Sequence, residues 1–119
     1  MGRLKRCLIA AVLTVASAAI VHAADYYAFE QITVAAVSIG FTNATIVQGT
    51  THKQATQAVC RVETAQLRYR FDGTAPTSAV GTLLEIGDTL TISEPISMVQ
   101  FRAIRTGAVS GVLSCSYVG

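Results

Sequence analysis

Five residues constrain this chain more than any others. In Leu67-Arg68-Tyr69-Arg70-Phe71 three apolar side chains alternate with two arginines, and successive side chains of an extended strand point to opposite faces. A strand here turns Leu67, Tyr69 and Phe71 inward and leaves Arg68 and Arg70 in solvent. A helix would scatter the same apolar residues around its axis. The residues that follow, Asp72-Gly73-Thr74-Ala75-Pro76-Thr77, read as a turn with a mechanism. Gly73 can take a positive φ, and the Asp72 side chain can bond the backbone beyond it.

The same organisation recurs along the chain. From Phe29 onward, short runs rich in Thr, Val, Ile and aromatic residues are broken by Gly, Asn, Asp and Pro, the composition of many short strands. Strands are predicted over Phe29–Val34, Ala36–Phe41, Leu67–Phe71, Gly81–Ile86, Thr89–Ser93, Met98–Ile104 and Val112–Val118. Thr42–Thr45 and Gln48–Thr51 read as loops or turns, and Ile46-Val47 is too short to assign. Thr56–Glu63 fits both periods: Ala55, Val59 and Val62 fall at helical spacing, whereas Ala58, Cys60 and Val62 fall at strand spacing. Its length and context favour a strand. Turn signals about every 8 to 12 residues predict an all-β fold, a small antiparallel β-sandwich of immunoglobulin-like or jelly-roll-like type.

The N-terminus is of another kind. Arg3, Lys5 and Arg6 precede an uncharged apolar run from Cys7 to Val21, and Val21-His22-Ala23 places small or tolerated residues where a signal peptidase reads. The run is shorter than the roughly 20 residues that span a bilayer. Residues 1–23 are therefore expected to be a helical signal peptide and 24–119 a single domain, exported to the periplasm or secreted. Cleavage one residue later and an uncleaved anchor are the alternatives. Three of the nine basic residues lie in this leader and none of the seven acids does. The remaining 96 residues carry six bases against seven acids, so the chain's net charge of +2 belongs to the leader. A nucleic-acid partner, or a membrane partner after cleavage, would need a retained basic patch.

Cysteine arithmetic points the same way. Cys7 leaves with the leader, and Cys60 and Cys115 remain as an even pair in an oxidising compartment. Leu113, Cys115 and Tyr117 share one face of the last strand, so Cys115 points inward, as does Cys60 if its segment is a strand. The two could meet across the core as a disulfide, worth roughly 4 kcal/mol in the chain-entropy account for a loop of about 55 residues. The alternative is two buried thiols serving as small hydrophobes.

Chemistry-bearing residues are sparse. After the leader the one histidine is His52, in a polar loop. A zinc site would lack ligands, and a nucleophilic serine would have one candidate base and no Gly-x-Ser-x-Gly elbow. Asp72, Glu85, Asp88 and Glu94 could supply paired carboxylates, but Asp72 and Asp88 sit beside glycines, where carboxylates ordinarily bond the backbone. The expectation is no enzyme activity, no cofactor and no metal. Among Arg61, Arg68, Arg70, Arg102 and Arg105, the pair Arg68 and Arg70 shares a face, and Arg102 is placed on a neighbouring strand's solvent side. Such a row either clamps an acidic partner or is a solvated face balanced by carboxylates. Asn43-Ala44-Thr45 matches a glycosylation acceptor, best explained as chance.

Leu67-Arg68-Tyr69-Arg70-Phe71-Asp72-Gly73-Thr74-Ala75-Pro76-Thr77, with Gly81–Leu84, Gly87–Leu90 and Phe101–Gly107, resembles a family of small tailed-bacteriophage proteins taken to be virion structural or accessory components. The likeness covers about half of the chain, roughly Glu63 to Val118. The same Tyr-x-Phe-Asp-Gly-Thr-x-Pro-Thr core is similar to the immunoglobulin-like domains appended to bacterial chitobiases and hexosaminidases. Both resemblances imply a non-catalytic sandwich, and neither carries catalytic residues over. The first implies a structural or decoration-type protein docked on a capsid or tail. The second implies an exported, carbohydrate-associated module at the cell surface or in the periplasm, with a surface glycan as its partner.

Overall fold

A computed structural model describes residues 25–48 and 53–119. The proposed leader and His52 lie outside the described residues. Nine strands and two short helices follow in chain order: β1 Tyr26–Val34, α1 Asn43–Ile46, β2 Val47–Gln48, β3 Lys53–Gln54, β4 Gln57–Glu63, β5 Leu67–Arg70, β6 Thr82–Leu84, β7 Thr89–Ile92, α2 Pro95–Gln100, β8 Arg102–Arg105 and β9 Gly111–Val118. They form an antiparallel four-stranded sheet in the order β1-β9-β4-β7 and a three-stranded sheet in the order β6-β5-β8, with β2-β3 as a small ribbon. The two larger sheets pack face to face, a small all-β sandwich.

Alternation explains the packing. Ile32 and Val34 from β1, Leu113, Cys115 and Tyr117 from β9, and Ala58, Cys60 and Val62 from β4 are all buried, and Leu67, Leu84 and Ala103 meet them from the other sheet. Each fully buried large side chain contributes roughly 1.5–3 kcal/mol. On the outer face of the larger sheet the Gln31 amide donates to Ser114 Oγ at 3.1 Å, and the Ser114 hydroxyl donates to Glu63 Oε2 at 3.1 Å. That polar ladder crosses three strands and keeps this face in water.

The ambiguous Thr56–Glu63 segment is a strand, and Cys60 and Cys115 are bonded with Sγ atoms 2.09 Å apart. Their placement differs from the expectation. The cysteines do not meet across the core; they stand directly opposite each other on the adjacent strands β4 and β9 of one sheet, with Cα atoms 4.1 Å apart. Face parity predicts that both point inward but is silent on which strands are neighbours.

Three local expectations also fail. Ala36–Phe41 is not a strand but the crossover between sheets, touching β8 only where Ile39 and Ala103 exchange backbone hydrogen bonds at 2.9 and 2.8 Å. Thr42–Thr45 is mostly helical, because the Thr42 carbonyl accepts from Thr45 and Ile46 to close one turn. The predicted strand Met98–Ile104 begins as helix. Pro95 opens α2 with its φ already set for a first turn, and the Met98 amide donates to the Glu94 carbonyl at 3.2 Å. The strand starts only at Arg102.

Aromatic rings close one end of the sandwich. Phe101, 1 % exposed, stacks on Phe41 at 4.3 Å between centroids, and Phe41 meets Tyr117 edge-on at 5.6 Å. Tyr69 and Phe71 flank Phe101 from β5 and its following turn, at 5.9 and 6.1 Å. Nearby, Glu30 occupies an inward register position, facing Cys115 across the β1–β9 pair. Its carboxylate accepts from the Tyr117 hydroxyl and from the Thr42 amide, which makes the charge tolerable at the sheet margin.

Burial, reinforced by the Glu30 carboxylate, pushes the Tyr117 phenol well above its ordinary value of 10.0. A folded-state value above the unfolded one leaves stability intact below about pH 10 and removes it as pH rises further, since only the unfolded chain releases the proton there. Denaturant titrations should therefore show stability declining as pH rises beyond about 10. Tyr117→Phe should shrink that alkaline slope, and an unchanged slope would contradict this role for the buried phenol.

Candidate interaction face

The outer face of the three-stranded sheet is built from β5 outward. Alternation turns Leu67 and Tyr69 inward and Arg68 and Arg70 outward, as expected. Register then sets Arg68 between Leu83 of β6 and Ile104 of β8, and brings Arg70 opposite Arg102. The three arginines singled out from sequence do share one face.

Their tasks differ. Arg70 forms a two-pronged ion pair with Asp72, Nε donating to Oδ1 at 3.1 Å and Nη2 to Oδ2. Asp72 Oδ1 also accepts the Thr74 amide at 3.2 Å, and Gly73 between them takes φ 77°. The turn thus has the predicted mechanism, with Arg70 as an addition. Further on, Thr77 Oγ1 accepts the Val80 amide at 2.9 Å, and Pro76 is buried. Arg68 reaches over this loop and donates from Nε to the Ser78 carbonyl at 3.2 Å and from Nη1 to the Gly81 carbonyl at 2.8 Å. Arg68 and Arg70 therefore hold the 72–81 loop against β5; Arg70 with Asp72 fits a face balanced by carboxylates, whereas the bonds of Arg68 to the loop carbonyls were not read from sequence. Arg102 is exposed and makes no ion pair or side-chain hydrogen bond among the described residues.

The bond from Arg70 holds the Asp72 carboxyl below its usual range, helped by the Thr74 amide. A depressed carboxyl contributes its stabilisation above its unfolded value, near pH 3.8, and loses it as pH falls through the lower folded value. Acidification below about pH 4 should speed amide exchange in residues 72–81 before it touches the core strands, because the pair is exposed and local. Asp72→Asn should give the same loosening at neutral pH. Uniform protection in both would contradict the assignment.

The other singled-out carboxylates are engaged with their neighbours. Asp88 Oδ2 accepts the Glu85 amide at 2.8 Å, Glu85 Oε1 accepts the Gln66 amide group at 2.7 Å, and Glu94 Oε2 accepts the Ser97 hydroxyl at 3.4 Å. Arg105 Nη1 donates to Ser110 Oγ at 3.5 Å, and Arg61 stands on the opposite sheet's outer face. No three of His, Cys, Asp and Glu are grouped as metal ligands among the described residues.

Sequence reasoning missed the surface beside Arg102. There Ile39 (39 % exposed) and Val99 (55 % exposed) line a groove of about 480 Å³ over Phe41 and Ile46. Gly40 shapes it, since a Cβ at that position would come within 2.8 Å of the Phe101 carbonyl. Gly40 and the opening Pro95 were the available signals, but Gly40 sits inside the run Ala36–Phe41, which reads more simply as a strand, and Pro95 reads as a break between strands.

Comparison with family models, with curated proteins and with solved structures finds no match.

Proposed function

We propose that this chain is a non-catalytic structural module that docks onto a larger protein assembly, a bacteriophage capsid or tail in which it serves as a structural or decoration-type component. The observation that carries the docking part is the outer face of β6-β5-β8. Two of its arginines are committed to the chain's own loop and a third, Arg102, stands uncompensated among the described residues, opposite Arg70 and beside exposed Ile39 and Val99. Arginine is among the residues that protein interfaces favour. The virion part rests on the resemblance of the Leu67–Thr77 segment. Mass spectrometry of purified particles tests it: the chain should be present at a fixed copy number, and its absence from particles together with recovery from a periplasmic fraction would overturn it.

One observation favours a second reading, an exported carbohydrate-associated module. The Cys60–Cys115 bond suits an oxidising compartment, in keeping with the leader expected at residues 1–23. Saturable retention on a surface glycan would support this reading, and a glycan array without binding would count against it.

A further inference from the structure

We infer that the groove between α1, α2 and β8 receives an acidic side chain carried on an apolar segment of a protein partner, with Arg102 as the cation that reads it. The inference rests on the reading of this chain as a docking module and names the chemistry of what is docked.

Charge selects the ligand. Arg70 and Arg102 stand directly opposite on neighbouring strands, an arrangement of like charges that destabilises a sheet unless something compensates it. Asp72 compensates Arg70, and the carbonyls of Ser78 and Gly81 occupy Arg68. Nothing among the described residues does the same for Arg102. Glu30, half-buried on β1, already accepts two hydrogen bonds, from the Thr42 amide and the Tyr117 hydroxyl. A partner carboxylate would supply the missing charge, and a guanidinium can bind both its oxygens at once.

The walls select what carries that carboxylate. Ile39 and Val99 are exposed on either side, and the floor is Phe41 and Ile46, 9 % and 3 % exposed. A single free cation in an apolar setting suits an isolated carboxylate on an aliphatic segment. A polyphosphate backbone would call for a row of free cations, and here the other two arginines are engaged. The floor is preorganised, because the Phe41–Phe101 stack lies beneath it and Gly40 lets the crossover lie close against β8.

The probe is a short capped peptide alternating glutamate and leucine, titrated into the full chain with its disulfide intact and followed by amide chemical shifts. The expected result is saturable shifts centred on Ile39, Val99 and Arg102. Binding should weaken roughly tenfold in Arg102→Gln and by a similar factor when glutamine replaces glutamate in the peptide, as for the loss of one charge-assisted hydrogen bond. Arg61→Gln, on the other sheet, should leave binding unchanged. Equal affinity in Arg102→Gln, equal binding of the glutamine peptide, or no saturable shift would each overturn the inference. Peptide binding of the expected kind by a chain absent from purified particles would sink the virion reading alone and uphold the groove.

Discussion

Phe101→Ala is expected to lower stability by about 4 kcal/mol, the middle of what a buried phenylalanine yields when truncated. The ring is 1 % exposed and is the common partner of Phe41, Tyr69 and Phe71. Its loss would open a cavity at the end of the sandwich where the crossover meets β8, and neighbouring rings held on different elements could collapse into that space only in part. For a domain of this size the melting temperature should fall by roughly 16–32 °C. Phe101→Leu, which keeps much of the volume, should cost less than half as much. A loss under about 1 kcal/mol for the alanine variant would mean that the aromatic cluster is not what holds this end together.

The second large effect concerns the bridge. Cys60→Ala with Cys115→Ala is expected to cost roughly 3 kcal/mol. The pair lies between the inward pairs Ala58–Tyr117 and Val62–Leu113 on the same two strands, so the strands keep their register without it. The effect then arises chiefly in the unfolded chain, where a closed loop spanning a sequence separation of 55 is released. Thermal melts with and without reductant should differ by roughly 12–24 °C, with the same far-ultraviolet spectrum below both transitions. Coincident melts, or two reactive thiols per chain in denatured and unreduced protein, would contradict a formed bridge.

What could be read from the sequence divides along a physical line. Strands β5 and β9 and the Asp72 turn were legible because strict alternation, or a residue with a special backbone role, signals locally. The inward parity of Cys60 and Cys115 was legible for the same reason, while their adjacency in one sheet was not, since strand order follows from long-range pairing. Ala36–Phe41 and Met98–Gln100 were misread as strand because a bridging segment and one or two helical turns are shorter than the period needed to tell them from a strand. In α2, Met98 is buried while Ile96 and Val99 are exposed, a pattern too brief to stand out. At the candidate face, parity puts Arg68 and Arg70 on one side of β5, while the position of Arg102 opposite Arg70 follows from the β5–β8 pairing, which parity does not fix. That two of them serve the loop and one is free depended on the path of residues 72–81, which no spacing rule encodes. Glu30 was open to notice, as a charged residue at the inward parity of Ile32 and Val34, but its partners Tyr117 and Thr42 lie far along the chain or across a crossover.

The account makes Arg102 the working residue of a docking face, distinct from the arginines that support the fold. The most direct measurement is occupancy: purified chain is added back to particles from a strain lacking it and counted by mass spectrometry, as wild type and as Arg102→Glu. Wild type should bind to a fixed copy number, and Arg102→Glu should fold with an unchanged melting temperature yet fail to fill the same sites. Equal occupancy by the two would contradict it, and no wild-type chain on the particles at all would contradict the virion reading.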